Sequence, residues 1–457
     1  MPNYTFVKSI ILKFTATSKP GYALLLVMFS CALMIDIGCR TWYYNKVAAF
    51  ITLMVCLQYA NYRFWWATYG AMGAAAAIML QKFPRLPNHS NLEFILFFIF
   101  AGLLACRVFF KAKLPPPHTV NLTFRLFLIS VYFIAGFHKL NSGFINIDGS
   151  CAESIGYEFN SLLYGQNYKL HHTLLKAFQA GTFLIEMVVP FGLLFKSSRT
   201  ISVLLLISFH FFMSLYGFAN FSAFAAFLIT GSILNLEQEF ITPGIIKGLR
   251  LYIMFAILAV LGCYFIARFY PGRLLLIKIY GGAVFNMGWV LYFYYLIRHN
   301  KNIRLPSTFS WWQPATVLLV SLWGLQCYAG LGNTGNLTMF SNLITLKSRS
   351  NHFIVNTQKT KIWHFEEDYV TIIDIPGKCK GQNGKNLKGY ILPLIEFKTS
   401  VKKWSARYKE ALPCILEYKN KRVVIPNLSA SEYNKTEWWY RYLSYRRIPV
   451  KGNECQW

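Results

Sequence analysis

The side chains best suited to chemistry are a few ionisable residues that interrupt long apolar stretches. Arg125, Tyr132 and Lys139 lie in one apolar segment at intervals of seven residues. At 3.6 residues per turn, this spacing places all three within about 40° of one another on one helix face. A desolvated lysine holds its proton less tightly, so its amine can act as a base. The spacing therefore predicts a polar helix face that ends in a candidate base, Lys139.

Two further ionisable residues lie inside apolar segments. Glu186 lies in TFLIEMVVPFGLLF, four residues before Pro190, which cannot donate a backbone hydrogen bond and can kink a helix. His210 lies in LLLISFHFFMSLYGF. A charge in hydrocarbon costs at least about 2.5 kcal/mol, so we expect Glu186 to pair with a basic group inside a bundle. The candidate partners are Arg125, Lys139 and His210.

The same residues also have structural interpretations. Lys139 could be a helix-end lysine whose amine reaches the membrane interface. Glu186 and Arg125 could form an ion pair that only holds two helices together. His210, alone on an apolar face, could be a packed and hydrogen-bonded histidine, and His89 could be an ordinary loop histidine.

The composition indicates a membrane protein. Hydrophobic residues make up 55% of the 457 positions and charged residues only 14%, whereas soluble domains carry about 25% charged residues. The net charge is +28. Because the chain is so apolar, we expect membrane lipid and not nucleic acid as the partner of this charge. The ten cysteines show no CxxC pair and no metal-ligand spacing, so neither a metal site nor a disulfide framework is predicted.

Apolar windows of about 20 residues predict an all-α polytopic membrane helix bundle with eight to eleven spans. Two windows, 47–60 and 221–236, are short enough to be re-entrant or interfacial. The protein is expected to be integral and multi-pass, in the plasma membrane if it is bacterial. The longer windows are 21–38, 64–80, 92–110, 122–139, 174–195, 201–218, 251–269, 274–297 and 315–331.

A different kind of sequence begins near residue 333, where the apolar windows end and charge becomes denser. Short runs that alternate or are rich in β-branched residues predict strands, and 401–411 is expected to be helical. The predicted domains are therefore a transmembrane bundle over 1–332 and a small α+β or mostly β soluble C-terminal domain over 333–457. The predicted strands lie at 369–375, 389–397, 414–418 and 423–425.

The segment FRLFLISVYFIAGFHKLNSGFINIDG resembles the signature of the vitamin K-dependent gamma-carboxylases and of the wider HTTM membrane family. That signature is an arginine, then VYF.AG..KL, then a glycine about ten residues on. Arg125, the run 131–136, Lys139-Leu140 and Gly149 fill it.

Further blocks in the same order strengthen the resemblance. Glu186, Arg199 and His210 match a block with an acidic residue, an arginine thirteen residues later and a histidine eleven residues after that. The Asn-His-Ser sequence at 88–90 is a weaker match. The segment GNLTMFSNLITLKSRSNHFI is also similar to the region that follows the last helix in bacterial HTTM proteins.

The resemblance implies that Lys139 is the base that deprotonates reduced vitamin K or another lipid quinol. Oxygen addition would then generate a base strong enough to remove a γ-proton from glutamate, so that carbon dioxide is captured. His89 would assist the carboxylation, and His138 stands where the family enzyme has a second lysine. The residues expected to bind the cofactor or support its pocket are Arg125, Tyr132, Glu186, Arg199 and His210.

The predicted function is that of an HTTM-family protein that uses a lipid quinol to modify a peptide or small acceptor, with no metal. The alternatives are non-enzymatic: a transporter, or a maturation or assembly factor for a secreted peptide. Whether the chain is an enzyme stays open. Inverted repeats or paired broken helices would favour a transporter, and the sequence pattern indicates neither.

Overall fold

The structure, a computed structural model, is mostly helical. It describes residues 20–40, 45–64, 66–86, 88–110, 117–164, 171–234, 236, 240–270, 274–300, 310–381, 384 and 386–455. Backbone polar groups in hydrocarbon must bond within the chain, and this requirement favours helices wherever the sequence is apolar. The helices are α1 (Pro20–Arg40), α2 (Asn45–Ala60), α3 (Trp66–Lys82), α4 (Asn88–Phe110), α5 (Pro117–His138), α6 (Ser142–Ile145), α7 (Cys151–Tyr164), α8 (His172–Phe183), α9 (Arg199–Met213), α10 (Ala219–Ile233), α11 (Pro243–Phe269), α12 (Leu274–His299), α13 (Trp312–Ala329), α14 (Thr357–Thr360) and α15 (Leu394–Arg407).

Several helices have the length and composition of membrane spans, so the prediction of a helical membrane protein is confirmed at that level. Within the described residues, five helical segments are long and apolar enough to cross a bilayer. The shorter apolar helix Lys46–Ala60 accompanies them. The range of eight to eleven spans stays a prediction. The five segments are Pro20–Gly38, Thr119–His138, His172–Leu193, Arg199–Ile233 and Pro243–Phe269.

Two of these five segments are interrupted helices. Pro190 indicated a kink in the first of them, whereas the sequence analysis singled out no break in the second. After α8, the chain forms a π-helix, Leu184–Val188, and then a 3₁₀-helix, Val189–Leu193. Pro190 explains this break, because its ring removes one backbone donor and clashes with the preceding turn. In the second segment, α9 leads into a π-helix whose Gly217 has φ +88°, and α10 follows. A residue with a side chain would be strained at that φ.

The chain packs as two compact units. The first unit contains Met1–Gln81, Leu92–Ser130 and Val188–Leu318, and the second contains Lys82–Asn91, Val131–Met187 and Leu319–Trp457. The predicted division at residue 332 separates membrane residues from extramembrane ones. It stays a prediction, because the two units are defined by packing and not by a bilayer.

The C-terminal part of the second unit contains a five-stranded antiparallel sheet with the order β4-β3-β1-β2-β5. Buried Val370, Ile372 and Leu416 from the sheet form a core with Phe397 and Val401 of α15. The sequence predicted either an α+β or a mostly β C-terminal domain, and the observed sheet with its packed helix is of the α+β form. The strands are β1 (Tyr369–Asp374), β2 (Tyr390–Pro393), β3 (Cys414–Tyr418), β4 (Lys421–Ile425) and β5 (Ile448–Pro449).

The predicted strand at 389–397 is wrong in its second half. β2 ends at Pro393, and α15 begins at the next residue and ends before the predicted helix at 401–411 would end. Phe397, Val401 and Trp404 are buried on one side of α15 at intervals of four and three residues. This helical spacing of core residues outweighs the local preference for strand.

Candidate functional site

Lys139 and Glu186 form a buried ion pair in the second unit. The Nζ of Lys139 donates to both carboxylate oxygens of Glu186, at 2.9 and 2.7 Å. Lys139 is 3% exposed and Glu186 7%. The prediction that Glu186 pairs with a basic group is confirmed, and Lys139 is that group. Each charge compensates the other, as burial in a low-dielectric interior requires.

The helix end that carries Lys139 is shaped by small residues. Lys139 directly follows α5, and its backbone N–H donates to the carbonyl of Gly136 at 2.9 Å. A Cβ atom added to Gly136 would lie 2.6 Å from Cγ of Met187 and 3.0 Å from Cβ of Glu186. Glycine therefore lets the backbone that carries Glu186 approach α5 closely. Small residues at such positions allow a neighbouring segment to pack closely against a helix.

Glu186 lies in the middle of the π-helix Leu184–Val188. Leu184 and Val188 on either side are 52% and 59% exposed, whereas Glu186 is buried. The π-turn thus turns the acidic side chain inward and leaves its apolar neighbours on the surface. Single π-turns inside helices occur frequently at functional sites, so this local geometry supports a functional interpretation of Glu186.

His138, the last residue of α5, is fully buried and has hydrogen-bond partners for both ring nitrogens. Its Nε2 lies 3.1 Å from the carbonyl of Gly324, and its Nδ1 lies 2.9 Å from the hydroxyl of Tyr328. A carbonyl can only accept, so the network assigns the proton to Nε2 and makes Nδ1 the acceptor from Tyr328. These bonds position the end of α5, and a proton taken up by Nδ1 of His138 would require the Tyr328 hydroxyl to accept where it now donates.

A set of asparagines fixes the turn after Lys139. Asn141 is fully buried, and its amide donates to the carbonyls of His138 and Ser341 at 2.7 and 2.6 Å. Its side-chain oxygen accepts from the backbone N–H of Phe144, which caps α6, and from the amide of Asn351 at 3.2 Å. The sequence analysis gave these asparagines no role, because the partners of Asn141 beyond its own turn, Ser341 and Asn351, lie 200 and 210 positions away in the chain.

His352 and Arg446 are two further residues that the sequence did not single out. Nε2 of His352 lies 2.9 Å from the carbonyl of Phe137, next to the helix end that carries the candidate base. Burial lowers the pKa of His352 below its ordinary value. Arg446 donates to the carbonyls of Thr338 and Leu343, and burial lowers its pKa to about 10. The resemblance of the segment around His352 to HTTM proteins was the one signal that pointed to this region.

A disulfide links the beginning of α7 to the C-terminal region of the second unit. Cys151 and Cys455 form it across a sequence separation of 304 residues. The backbone N–H of Cys151 also donates to the side chain of Asn342 at 2.7 Å. The sequence indicated no disulfide framework, because two cysteines so far apart show no spacing pattern.

Arg125 belongs to the first unit and has a different environment. It is completely buried, and its Nε donates to the carbonyl of Ser232 at 2.8 Å. Within the described part of the chain, its Nη1 and Nη2 have no hydrogen-bond partner. Arg199, also in the first unit, is 4% exposed and donates from Nε to the carbonyl of Leu193 at 2.9 Å. Arg125, Tyr132 and Lys139, which form the predicted polar face, are all buried, at 0%, 4% and 3% exposed.

His210 fits its structural interpretation. Its Nδ1 lies 3.4 Å from the hydroxyl of Ser222, and that hydroxyl donates to the His210 carbonyl at 2.9 Å. The rings of Phe221 and Trp289 pack against the imidazole at centroid distances of 4.9 and 5.9 Å. These contacts make His210 a packed and hydrogen-bonded histidine of the first unit.

The interpretation of His89 as a loop histidine is wrong. His89 is 2% exposed and lies in the first turn of α4. Asn91, two residues later, donates its amide to the carbonyls of Leu86 and Gly335 at 2.9 and 3.1 Å. Asparagine and serine are favoured at helix starts because their side chains can bond free backbone groups. The Asn-His-Ser sequence therefore begins a helix in a buried, polar part of the second unit.

Comparison with known proteins finds no matching family model, no matching curated protein and no matching solved structure. The similarity to the HTTM family therefore stays a prediction that rests on the quoted motifs. In the described residues, no group of three or more His, Cys, Asp and Glu side chains is arranged to hold a metal ion. What the fold defines is a helical protein of membrane type with a small antiparallel sheet near its C-terminus.

Proposed function

We propose that the chain is a multi-pass HTTM-type membrane protein, with eight to eleven spans, in which Lys139 accepts a proton from a lipid quinol. The observation that carries this proposal is the buried Lys139–Glu186 ion pair with its two short contacts. Ionisable residues inside a membrane protein are functional candidates by default, because isolated charges there are costly. The family resemblance independently assigns the base to Lys139.

Glu186 provides the proton acceptor that the Lys139 ammonium needs before its amine can act as a base. Lys139 can accept a proton only after it has released one, and Glu186 lies in hydrogen-bond contact to receive it. Transfer of one proton from Nζ to the carboxylate leaves a neutral amine beside a neutral carboxyl group, which a low-dielectric site tolerates. The amine then takes the proton of the quinol hydroxyl. Oxygen addition and modification of a peptide or small acceptor follow from the resemblance alone.

The disulfide supports a role on the extracytoplasmic side of the membrane. Disulfides form and persist in oxidising compartments and are rare in the cytosol. Cys151 follows the Lys139 turn closely in the chain and donates to Asn342, whose carbonyl accepts from the same Asn351 amide that donates to Asn141. The candidate site and the C-terminal domain would then face the compartment through which secreted peptides pass. Reduced vitamin K or a related quinol suits such a site because it dissolves in the bilayer.

A non-enzymatic function is the second candidate, and two observations favour it. Lys139 already holds both carboxylate oxygens of Glu186, as a purely structural ion pair would. The interrupted segments His172–Leu193 and Arg199–Ile233 also resemble the broken helices that transporters use to bind substrates. A transporter or a maturation factor for a secreted peptide would need the pair but no quinol.

The deciding experiment measures quinol oxidation in membranes that are supplied with a reduced naphthoquinone. Lys139→Met and Lys139→Arg should both abolish turnover at normal protein levels, because neither side chain can release and accept a proton at neutral pH. An anchoring lysine would instead tolerate arginine. Lys176→Met is the matched control, since Lys176 is an exposed lysine on α8. Undiminished turnover in both Lys139 variants would remove Lys139 from the mechanism and favour the non-enzymatic function.

A further inference from the structure

A groove in the first unit lies between the end of α2 and the first turns of α11. It encloses about 440 Å³. Tyr59 contributes one wall from α2, and the remaining lining comes from the N-terminal part of α11. The groove shares no residue with the Lys139 site, and the proposed function leaves it without a role.

The polar part of this groove is positive. Lys247 and Arg250 line it one turn apart on α11, and both are exposed. Nζ of Lys247 also lies 5.6 Å from the ring centroid of Tyr295, which holds the amine in place by a cation–π contact. The first turn of α11 adds the positive end of a helix dipole. The described lining contains no acidic side chain.

The other part of the groove is apolar. Ile246, Leu251 and Met254 line it along the same helix. These residues belong to α11, which is 27 residues long in total and apolar enough to cross a bilayer. Lys247 and Arg250 lie near one end of this membrane-length helix with Ile246 beside them, and Leu251 and Met254 follow them toward its middle. This is the order in which a phospholipid presents its phosphate and its acyl chains.

We propose that this groove binds one anionic phospholipid, with the phosphate between Lys247 and Arg250 and the acyl chains along the apolar side chains. Two basic groups without an acidic neighbour favour a head group with net negative charge. A zwitterionic head group would bring an amine that no described lining residue can pair. Tyr59, which is amphipathic, suits the boundary between head group and acyl chain.

The test measures binding of phosphatidylglycerol and phosphatidylcholine to the full chain in detergent, by native mass spectrometry. Lys247→Gln combined with Arg250→Gln should weaken phosphatidylglycerol binding roughly 30-fold, because each basic group near a lipid surface contributes about a factor of five. Phosphatidylcholine binding should change little. Arg268→Gln is the matched control, since Arg268 is an exposed arginine in the last turn of the same helix.

Three outcomes would overturn the proposal. The double variant could bind phosphatidylglycerol as tightly as the wild type does. Arg268→Gln could weaken binding equally, which would show a general charge effect. Glycerol phosphate without acyl chains could compete at the same concentration as the lipid, which would assign the groove to a soluble phosphate compound. If the double variant loses thermal stability in phosphatidylcholine, the two single variants replace it, each with an expected loss of roughly fivefold.

Discussion

Two buried cations, Arg125 within α5 and Lys139 directly after it, have opposite surroundings. Lys139, in the second unit, has both oxygens of a buried carboxylate within 2.9 Å. Arg125, in the first unit, bonds one backbone carbonyl, and its two terminal nitrogens have no partner in the described part of the chain. A lysine amine can release its proton, whereas a guanidinium stays charged. The comparison suggests a proton-transfer role for Lys139 and a fixed positive charge for Arg125.

Glu186→Gln should have the largest effect of the substitutions that test this difference, because it removes the only described counter-charge of Lys139. Breaking a buried ion pair from one side typically costs about 3–5 kcal/mol, since the remaining charge stays desolvated. We expect a loss of that size in the free energy of unfolding, measured by denaturant titration in detergent micelles. Turnover of a reduced naphthoquinone should also disappear.

A double variant provides the control for this loss. Glu186→Gln combined with Lys139→Met removes both charges, so it should recover most of the stability that Glu186→Gln loses. Such a recovery would show that the two charges stabilise the fold only when both are present. The double variant should be folded but inactive. A double variant that is no more stable than Glu186→Gln would show that the Lys139 charge is compensated by another group.

Gly136→Ala tests the close approach that brings Glu186 to Lys139. The added methyl group would lie 2.6 Å from Met187 and 3.0 Å from Glu186, so the two segments must separate. Overpacking of this kind costs about 1–3 kcal/mol. We expect a thermal unfolding midpoint below that of the wild type, together with lower quinol turnover because the ion pair is stretched.

The matched control is Gly181→Ala on α8, within the same membrane-length segment as Glu186. A Cβ atom at Gly181 would meet nothing within 4 Å. Alanine is favoured over glycine in helices by about 1 kcal/mol, so Gly181→Ala should be neutral or slightly stabilising. If both alanine variants have the same stability, the contact at Gly136 does not restrain the helix packing.

Local patterns predicted the helices and the polar side chains that α5 carries, because periodicity and apolar length act within one segment. The partner of Lys139 could not be chosen from the sequence, since Glu186 is 47 residues away and its inward direction depends on a π-turn. The same limit applies to Cys151 and Cys455, which are paired by the fold and not by spacing. His89 was misread for a local reason: its polar neighbours suggested a loop although they begin a helix.

Arg125→Met should change the free energy of unfolding least among these variants. The size of that change shows whether another group compensates the charge of Arg125. Methionine removes a buried charge whose terminal nitrogens have no described partner, which relieves a desolvation penalty. It also removes one hydrogen bond from the charged guanidinium to the Ser232 carbonyl, worth about 1.5–3 kcal/mol. These effects oppose each other, so the free energy of unfolding should change by no more than about 1 kcal/mol.

Arg446→Met is the control for the small stability change expected of Arg125→Met. Arg446 is also a buried arginine, but its terminal nitrogens donate to the carbonyls of Thr338 and Leu343. Charged hydrogen bonds contribute about 1.5–3 kcal/mol each, so this variant should lose clearly more stability than Arg125→Met. Denaturant titration of both variants in the same detergent measures the difference directly. If Arg125→Met loses as much as Arg446→Met, an anion or a carboxylate must occupy the first unit beside Arg125, and Arg125 and Lys139 would then both be compensated charges.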